Sequence, residues 1–275
     1  MSMRWAICNE TFHDRSLEEG FAFAAECGYQ GIELAPFTLA PLITDLSSSR
    51  KTEIRGAIEA AGLECVGLHW LLAKTEGFHV TTADADVRRR TAEYMGALAR
   101  TCAELGGSVL VFGSPQQRNI EPGMSYEQAA DHAVEVITAS LPELERSNVV
   151  LALEPLGPEE TNFLTTAEET VRLIERIGSP HVRLHLDCKA MATESQPIPE
   201  VIRQNARHLA HFHANDPNRQ GPGFGEVEFV PIFQTLREIE YRGWVSVEVF
   251  DYSPGIERLA RDSLRYMKEC LAAVS

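Results

Sequence analysis

The chain has 275 residues, 40 acidic and 25 basic, for a formal charge of −15, an excess that repels polyanions and argues against a nucleic-acid partner. Apolar residues make up 44% and charged residues 24%, an ordinary globular composition that excludes disorder and collagen-like fibres. No apolar run approaches the roughly 20 residues that cross a bilayer, and Met1 to Trp5 lack a basic region leading into an apolar stretch, so a cytoplasmic protein without a membrane partner is expected.

Along the chain, short β-rich runs alternate with amphipathic stretches. Arg4 to Phe12 reads as a strand and Ser16 to Cys27 as a helix, with Ser16 and Glu19 spaced as a capping box and Gly28 as the stop. Gly31 to Pro36 is the second strand, followed by a helix over Ser49 to Ala61. Leu63 to Leu72 is the third, followed by a long helix from Asp84 to Leu105 that ends at Gly106 and Gly107. The fourth unit pairs Ser108 to Gly113 with Ser125 to Arg146, and the fifth pairs Val149 to Leu156 with Thr166 to Ile177. Val182 to Asp187 with Pro197 to Ala206, Leu209 to Ala214 with Pro231 to Tyr241, and Gly243 to Phe250 with Gly255 to Ala272 complete the series.

Eight strand–helix units without a linker predict an α/β fold, a single (β/α)₈ TIM barrel over residues 1–275. A doubly wound open sheet would bind at a glycine-rich turn after its first strand, and Asn9 to Arg15 contains no glycine. The six cysteines (Cys8, Cys27, Cys65, Cys102, Cys188 and Cys270) are scattered, which indicates neither a disulfide framework nor a thiolate zinc site.

A barrel of this kind places its active site at the C-terminal strand ends. Strand five ends in Glu154, strand six in Asp187, strand seven in His213 and strand eight in Glu248. Three carboxylates on one rim repel one another unless a cation compensates, so these four residues are candidate ligands of a divalent metal. Oxygen donors with one imidazole suit Mn²⁺, Mg²⁺ or Co²⁺, with Zn²⁺ as a further alternative. Period-two alternation puts His185 on the same strand face as Asp187, and His211 on the same face as His213, deeper in the barrel, where they could support the ligands. His69, beside Trp70 at the end of strand three, is a substrate-contact candidate. The loop Asp216 to Gly225 is glycine-rich and carries Arg219, a composition suited to a lid or to close backbone approach.

With these residues in place, the sequence resembles the xylose-isomerase-like (β/α)₈ superfamily, and among its enzymes the ketose 3-epimerases of the D-tagatose or D-psicose type. The resemblance covers essentially the whole chain, most specifically Val149 to Asp251. It implies a divalent metal, commonly Mn²⁺ or Mg²⁺, on Glu154, Asp187, His213 and Glu248. It further implies sugar contacts from Glu160 and Arg219, which stand six residues after Glu154 and His213. Family members often form dimers or tetramers, so a homodimer or homotetramer is an open expectation. One position departs from the pattern: the epimerases carry a substrate-binding His three residues after the metal-binding Asp, and this chain has Ala190, with Lys189 beside it as an alternative polar contact.

A divalent ion on a ketone and its neighbouring hydroxyl would acidify the proton between them, with Glu154 and Glu248 as the acid/base pair acting through an enediolate. The expected activity is therefore a metal-dependent isomerase or epimerase acting on a small keto-sugar. The alternative is a dehydratase or lyase of the inosose dehydratase kind, which shares the first proton abstraction. An endonuclease IV-type repair enzyme would need further zinc-binding histidines, where this chain has Gly113 to Gln116 and Ala190. A non-catalytic sugar-binding protein is disfavoured by the four intact ligand positions.

Overall fold

The computed structural model describes residues 3–274. Eight parallel strands close into a barrel in chain order: β1 Arg4–Cys8, β2 Gly31–Leu34, β3 Glu64–Leu68, β4 Val109–Phe112, β5 Val150–Leu153, β6 Val182–Asp187, β7 Leu209–Ala214 and β8 Trp244–Val247. Among the described residues nine α-helices accompany them: α1 Leu17–Cys27, α2 Ser48–Ala60, α3 Ala85–Glu104, α4 Tyr126–Ser147, α5 Ala167–Ile177, α6 Cys188–Met191, α7 Ile198–Gln204, α8 Phe229–Glu238 and α9 Ile256–Ala272. Among the described residues none of these is long and apolar enough to cross a membrane.

Local chemistry sets the boundaries. Ser16 accepts from the Glu19 amide while Glu19 reaches back to the Ser16 amide, and Gly28 closes α1 at φ 97°. Ser125 and Gln128 form the same reciprocal cap on α4. Several strands are shorter than their apolar runs suggest. Residues 9–12 form a 3₁₀ turn rather than the end of β1, because the Asn9 side chain accepts from the Ala35 amide at 2.7 Å and donates to Thr38 at 2.8 Å, replacing ladder bonds with local ones. β3, β5 and β8 likewise stop just before His69, Glu154 and Glu248. Each of those residues still donates its amide to the neighbouring strand, at Leu34, Phe112 and Ala214 respectively, and so is fixed where the ladder ends. The segment after β6, expected as loop, is the short helix α6, capped by Asp187 itself.

The opposite end of the barrel is stoppered. Trp244 packs in a small buried cluster with Ala6 and Val66, beneath the Arg4 guanidinium 3.6 Å from its ring. Gly31 faces that indole, and a Cβ there would lie 2.8 Å from it. Gly67 is required for a different reason: a Cβ would come 1.8 Å from the Val109 carbonyl oxygen across the β3–β4 ladder. Gly67→Ala should therefore cost about 1–3 kcal/mol through forced backbone displacement. Gly56→Ala, on the exposed face of α2 with nothing within 4 Å, should gain up to about 1 kcal/mol. Thermal unfolding followed by circular dichroism checks both; equal midpoints for the two variants would contradict the ladder argument.

Candidate active site

Glu154, Asp187, His213 and Glu248 all converge on the C-terminal mouth, each at most 4% exposed. The donor atoms of Glu154, His185, Asp187 and His213 lie within 4.8 Å of one another. Glu248 belongs to an adjoining group with Cys8, Glu10 and His69, and its Oε2 lies 3.1 Å from His213 Nδ1. Asp187 is held at both oxygens, by the Ala190 amide at 2.8 Å and by the Asn215 side-chain amide at 2.5 Å.

His213 stands between two carboxylates, because its Nε2 is 3.1 Å from Glu33 Oε2. Glu33 lies on β2, is fully buried, and also meets His211 Nε2 at 2.9 Å. His69 makes a parallel bridge: its Nε2 is 2.9 Å from Glu10 and its Nδ1 3.2 Å from Glu248. Both ring nitrogens of His69 are thus engaged by carboxylates within the wall, whereas the sequence suggested a substrate contact. His185 and His211 face the barrel interior as the alternation predicts, yet neither hydrogen bonds a ligand candidate. His211 bonds Glu33, and His185 meets His213 ring to ring at 4.2 Å, with both its nitrogens buried and unpartnered.

Burial and neighbouring charge pull the carboxylates apart. Burial raises Glu154 well above the usual carboxylate range, and Asp187 and Glu248 add to the shift. Burial, then Glu248, pushes Asp187 up to about 6. Burial also acts on Glu248, but the His213 and His69 imidazoles outweigh it and hold Glu248 below its ordinary value. Burial opposes charge on His213, yet Glu33 and Glu248 hold its pKa well above the ordinary value. A donor set of clustered carboxylates and imidazole, with the unpartnered His185 nitrogens beside it, fits a hard divalent cation held by Glu154, Asp187 and His213 with Glu248 adjacent.

The remaining predicted contacts lie around the rim. Lys189 Nζ pairs with Glu160 at 2.5 Å and lies 5.3 Å from the Phe250 ring, so Glu160, which the resemblance assigns to sugar binding, is held by the lysine expected as an alternative polar contact. Arg219 is exposed at φ 72°, and it is its carbonyl that accepts from the Phe250 and Asp251 amides, at 2.8 Å each. Ala190 is buried in α6. Sequence reasoning passed over Glu10, Glu33, Arg118 and Asn215. Glu33 carried a usable signal, a lone charge inside an apolar strand, of the kind read in strands five to eight. Arg118 carried none: it lies after β4, fully buried, and donates to the carbonyls of Phe112, Ser114 and Glu154 beneath the Glu154 side chain. Gly113 leaves room for that side chain, since a Cβ would lie 1.7 Å from Glu154 Oε2.

The sequence profile of the xylose isomerase-like TIM barrel family matches residues 21–270. The chain belongs to this family. Among characterised relatives, the 3-dehydro-D-guloside 4-epimerase of Escherichia coli is 25% identical over 98% of this chain and 100% of its own length. The D-psicose 3-epimerase of Enterocloster bolteae is 37% identical over 106 residues, 38% of this chain and only 35% of that protein. Solved structures agree in fold. The D-psicose 3-epimerase from Clostridium cellulolyticum H10 with D-tagatose superposes at a TM-score of 0.86 and 20% identity, covering 98% of this chain and 99% of that one. The apo 3-keto-D-glucoside 4-epimerase from E. coli gives 0.83 at 22% identity, over 98% and 100%.

The bridge from Glu33 to two histidines yields a stability prediction. Glu33→Ala leaves His211 and His213 without their buried acceptor and should cost about 3 kcal/mol or more. Glu64→Ala removes an exposed partner of Arg4 and should cost under about 1 kcal/mol. Urea denaturation compares the two, and similar midpoints would refute the special weight given to Glu33.

Proposed function

We propose that the protein is a divalent-metal-dependent epimerase or isomerase of a ketose or keto-sugar derivative. The observation that carries this reading is the convergence of Glu154, Asp187 and His213, with Glu248 bonded to His213, at the mouth of a family barrel. The relatives named for epimerase activity support the reaction class. The reading takes residues 1–275 as one domain and the substrate as a small sugar, with Mn²⁺ as the first choice of cation and Mg²⁺, Co²⁺ or Zn²⁺ as alternatives. Homodimer or homotetramer formation and a cytoplasmic setting complete it.

When bound, the divalent cation supplies Lewis-acid polarisation of the substrate carbonyl and its neighbouring hydroxyl. In this reading Glu154 and Glu248 would act on opposite faces of the carbon that bears the exchanging proton. One takes the proton α to the carbonyl, and the other returns a proton to the opposite face of the enediolate, inverting the centre. Asp187, clamped by Ala190 and Asn215, keeps a fixed orientation. His213 is oriented by Glu33, and Glu248 by His69.

A second reading draws on Ala190. Without a histidine on that side of the site, an enediolate with a leaving group β to the carbonyl could expel it, giving an elimination. Both readings begin with exchange of the α-proton.

Metal-loaded protein incubated with ketoses and keto-glycosides in deuterium oxide should incorporate one deuteron at the α-carbon, read by NMR. Glu154→Gln and Glu248→Gln should each lower that rate by about 10³-fold. Chelation should abolish exchange, and Mn²⁺ should restore it. Inversion at the labelled carbon identifies the epimerase, whereas an enone absorbance identifies the lyase. Exchange at wild-type rates in both Gln variants would refute the acid/base assignment. Gly113→Ala, which displaces the Glu154 carboxylate, should weaken Mn²⁺ binding about tenfold or more in calorimetry, and unchanged affinity would remove Glu154 from the ligand set.

A further inference from the structure

Three half-buried aromatic side chains stand together at the mouth without joining the barrel's core. Phe37 follows β2, Trp70 follows β3 and Phe250 follows β8. Trp70 stacks on Phe250 at 5.6 Å and 23°, and lies 5.8 Å from Phe37. None of the three is among the partly buried apolar side chains packed against the main hydrophobic cluster. They pack on one another instead, and an apolar surface left at a pocket rim marks a recognition site more often than a packing accident.

The wall is continuous with the candidate active site. The Trp70 ring lies 6.2 Å from the His69 ring, and His69 bonds Glu248. Phe250 is two residues beyond Glu248, with Lys189 Nζ above its ring at 5.3 Å. Trp70 is held at φ 51°, a left-handed backbone that costs a bulky side chain energy and that the surrounding structure must impose. Lys74 Nζ sits 4.0 Å from the Phe37 ring, closing that end of the wall with a cation. A single sugar reacting between Glu154 and Glu248 would have this aromatic wall beside it. A second ring attached to it would stack across Trp70.

Building on the keto-sugar reading above, we infer that Phe37, Trp70 and Phe250 form a subsite for the aglycone ring of a keto-glycoside, so that the substrate class is a glycoside carrying a ketone rather than a free ketose. The aglycone is an uncharged flat or chair-shaped ring, a second sugar or an aryl group, presenting C–H bonds or a π-face to the indole.

The test compares methyl and phenyl glycosides of the same keto-sugar, with a free ketose as a third substrate, in the metal-loaded protein. The expected result is a kcat/KM for α-proton exchange about tenfold higher for the phenyl than for the methyl glycoside, falling to a ratio near one in Trp70→Ala, whatever the absolute rates. Phe37→Ala provides the same ratio should Trp70→Ala fail to fold. Binding is read independently in catalytically disabled Glu154→Gln protein. Phenyl glycoside should quench the Trp70 fluorescence, since Trp5 and Trp244 are buried at 5% and 7% exposure, and the response should vanish in the Trp70→Ala double variant. Equal ratios in wild type and variant, a free ketose used as well as the phenyl glycoside, or a Trp70→Ala protein changed only in oligomeric state would each overturn the proposal. Absence of exchange with every substrate, accompanied by intact Trp70 quenching, would refute the epimerase reading while leaving the subsite standing.

Discussion

The structure depends on burying charge inside a closed parallel barrel. Glu33 is fully enclosed and its Oε2 meets His211, His213 and the Cys8 thiol, so a carboxylate from β2 is neutralised across the barrel by imidazoles from β7. An isolated carboxylate in that interior would carry a desolvation cost that no local cap could offset. Glu10 and Glu248 on either side of His69 repeat the device just beyond the ends of β1, β3 and β8. These chains of carboxylate and imidazole engage both ring nitrogens of His69 and His213, and they leave Glu154 and Asp187 beside His213 at the mouth.

That arrangement explains why the acidic groups there do not share one character. Glu248 lies against two imidazoles and stays easily ionised, whereas Glu154 lies above a buried guanidinium whose hydrogen bonds go to backbone carbonyls. Arg118 is therefore close enough to moderate the charge on Glu154 without pairing with it. The two carboxylates proposed as the acid/base pair occupy unlike surroundings, which suits groups with different tasks in one reaction.

Much of this was legible in the sequence. Alternating apolar runs and amphipathic stretches with caps at Ser16 and Ser125 suffice for the barrel and its register of helices, because each signal is local. The rim residues Glu154, Asp187, His213 and Glu248 could be read because each ends an otherwise apolar strand. The bridges could not. Whether Glu10 meets His69, or Glu33 meets His211, depends on which strands become neighbours across the interior and on side-chain direction, neither of which a local pattern encodes. The first strand was also overextended, where Asn9 satisfies the backbone with its own side chain, since an apolar run says nothing about where the ladder gives way to a turn. The Lys189–Glu160 pair was equally hidden: the resemblance assigns Glu160 to a sugar, but only geometry shows what holds it in the free protein.

The bridge from Glu10 through His69 to Glu248 joins residues almost a whole chain apart, at the seam where β1 meets β8. During synthesis Glu10 and His69 emerge long before their third member, and the last strand must seat before the network closes. Seven-eighths of a barrel would hold these ionisable groups beside an open edge, wetted and without order. The bridge and the closure of the sheet thus depend on the same last strand, which brings Glu248 to His69 and pairs with β1.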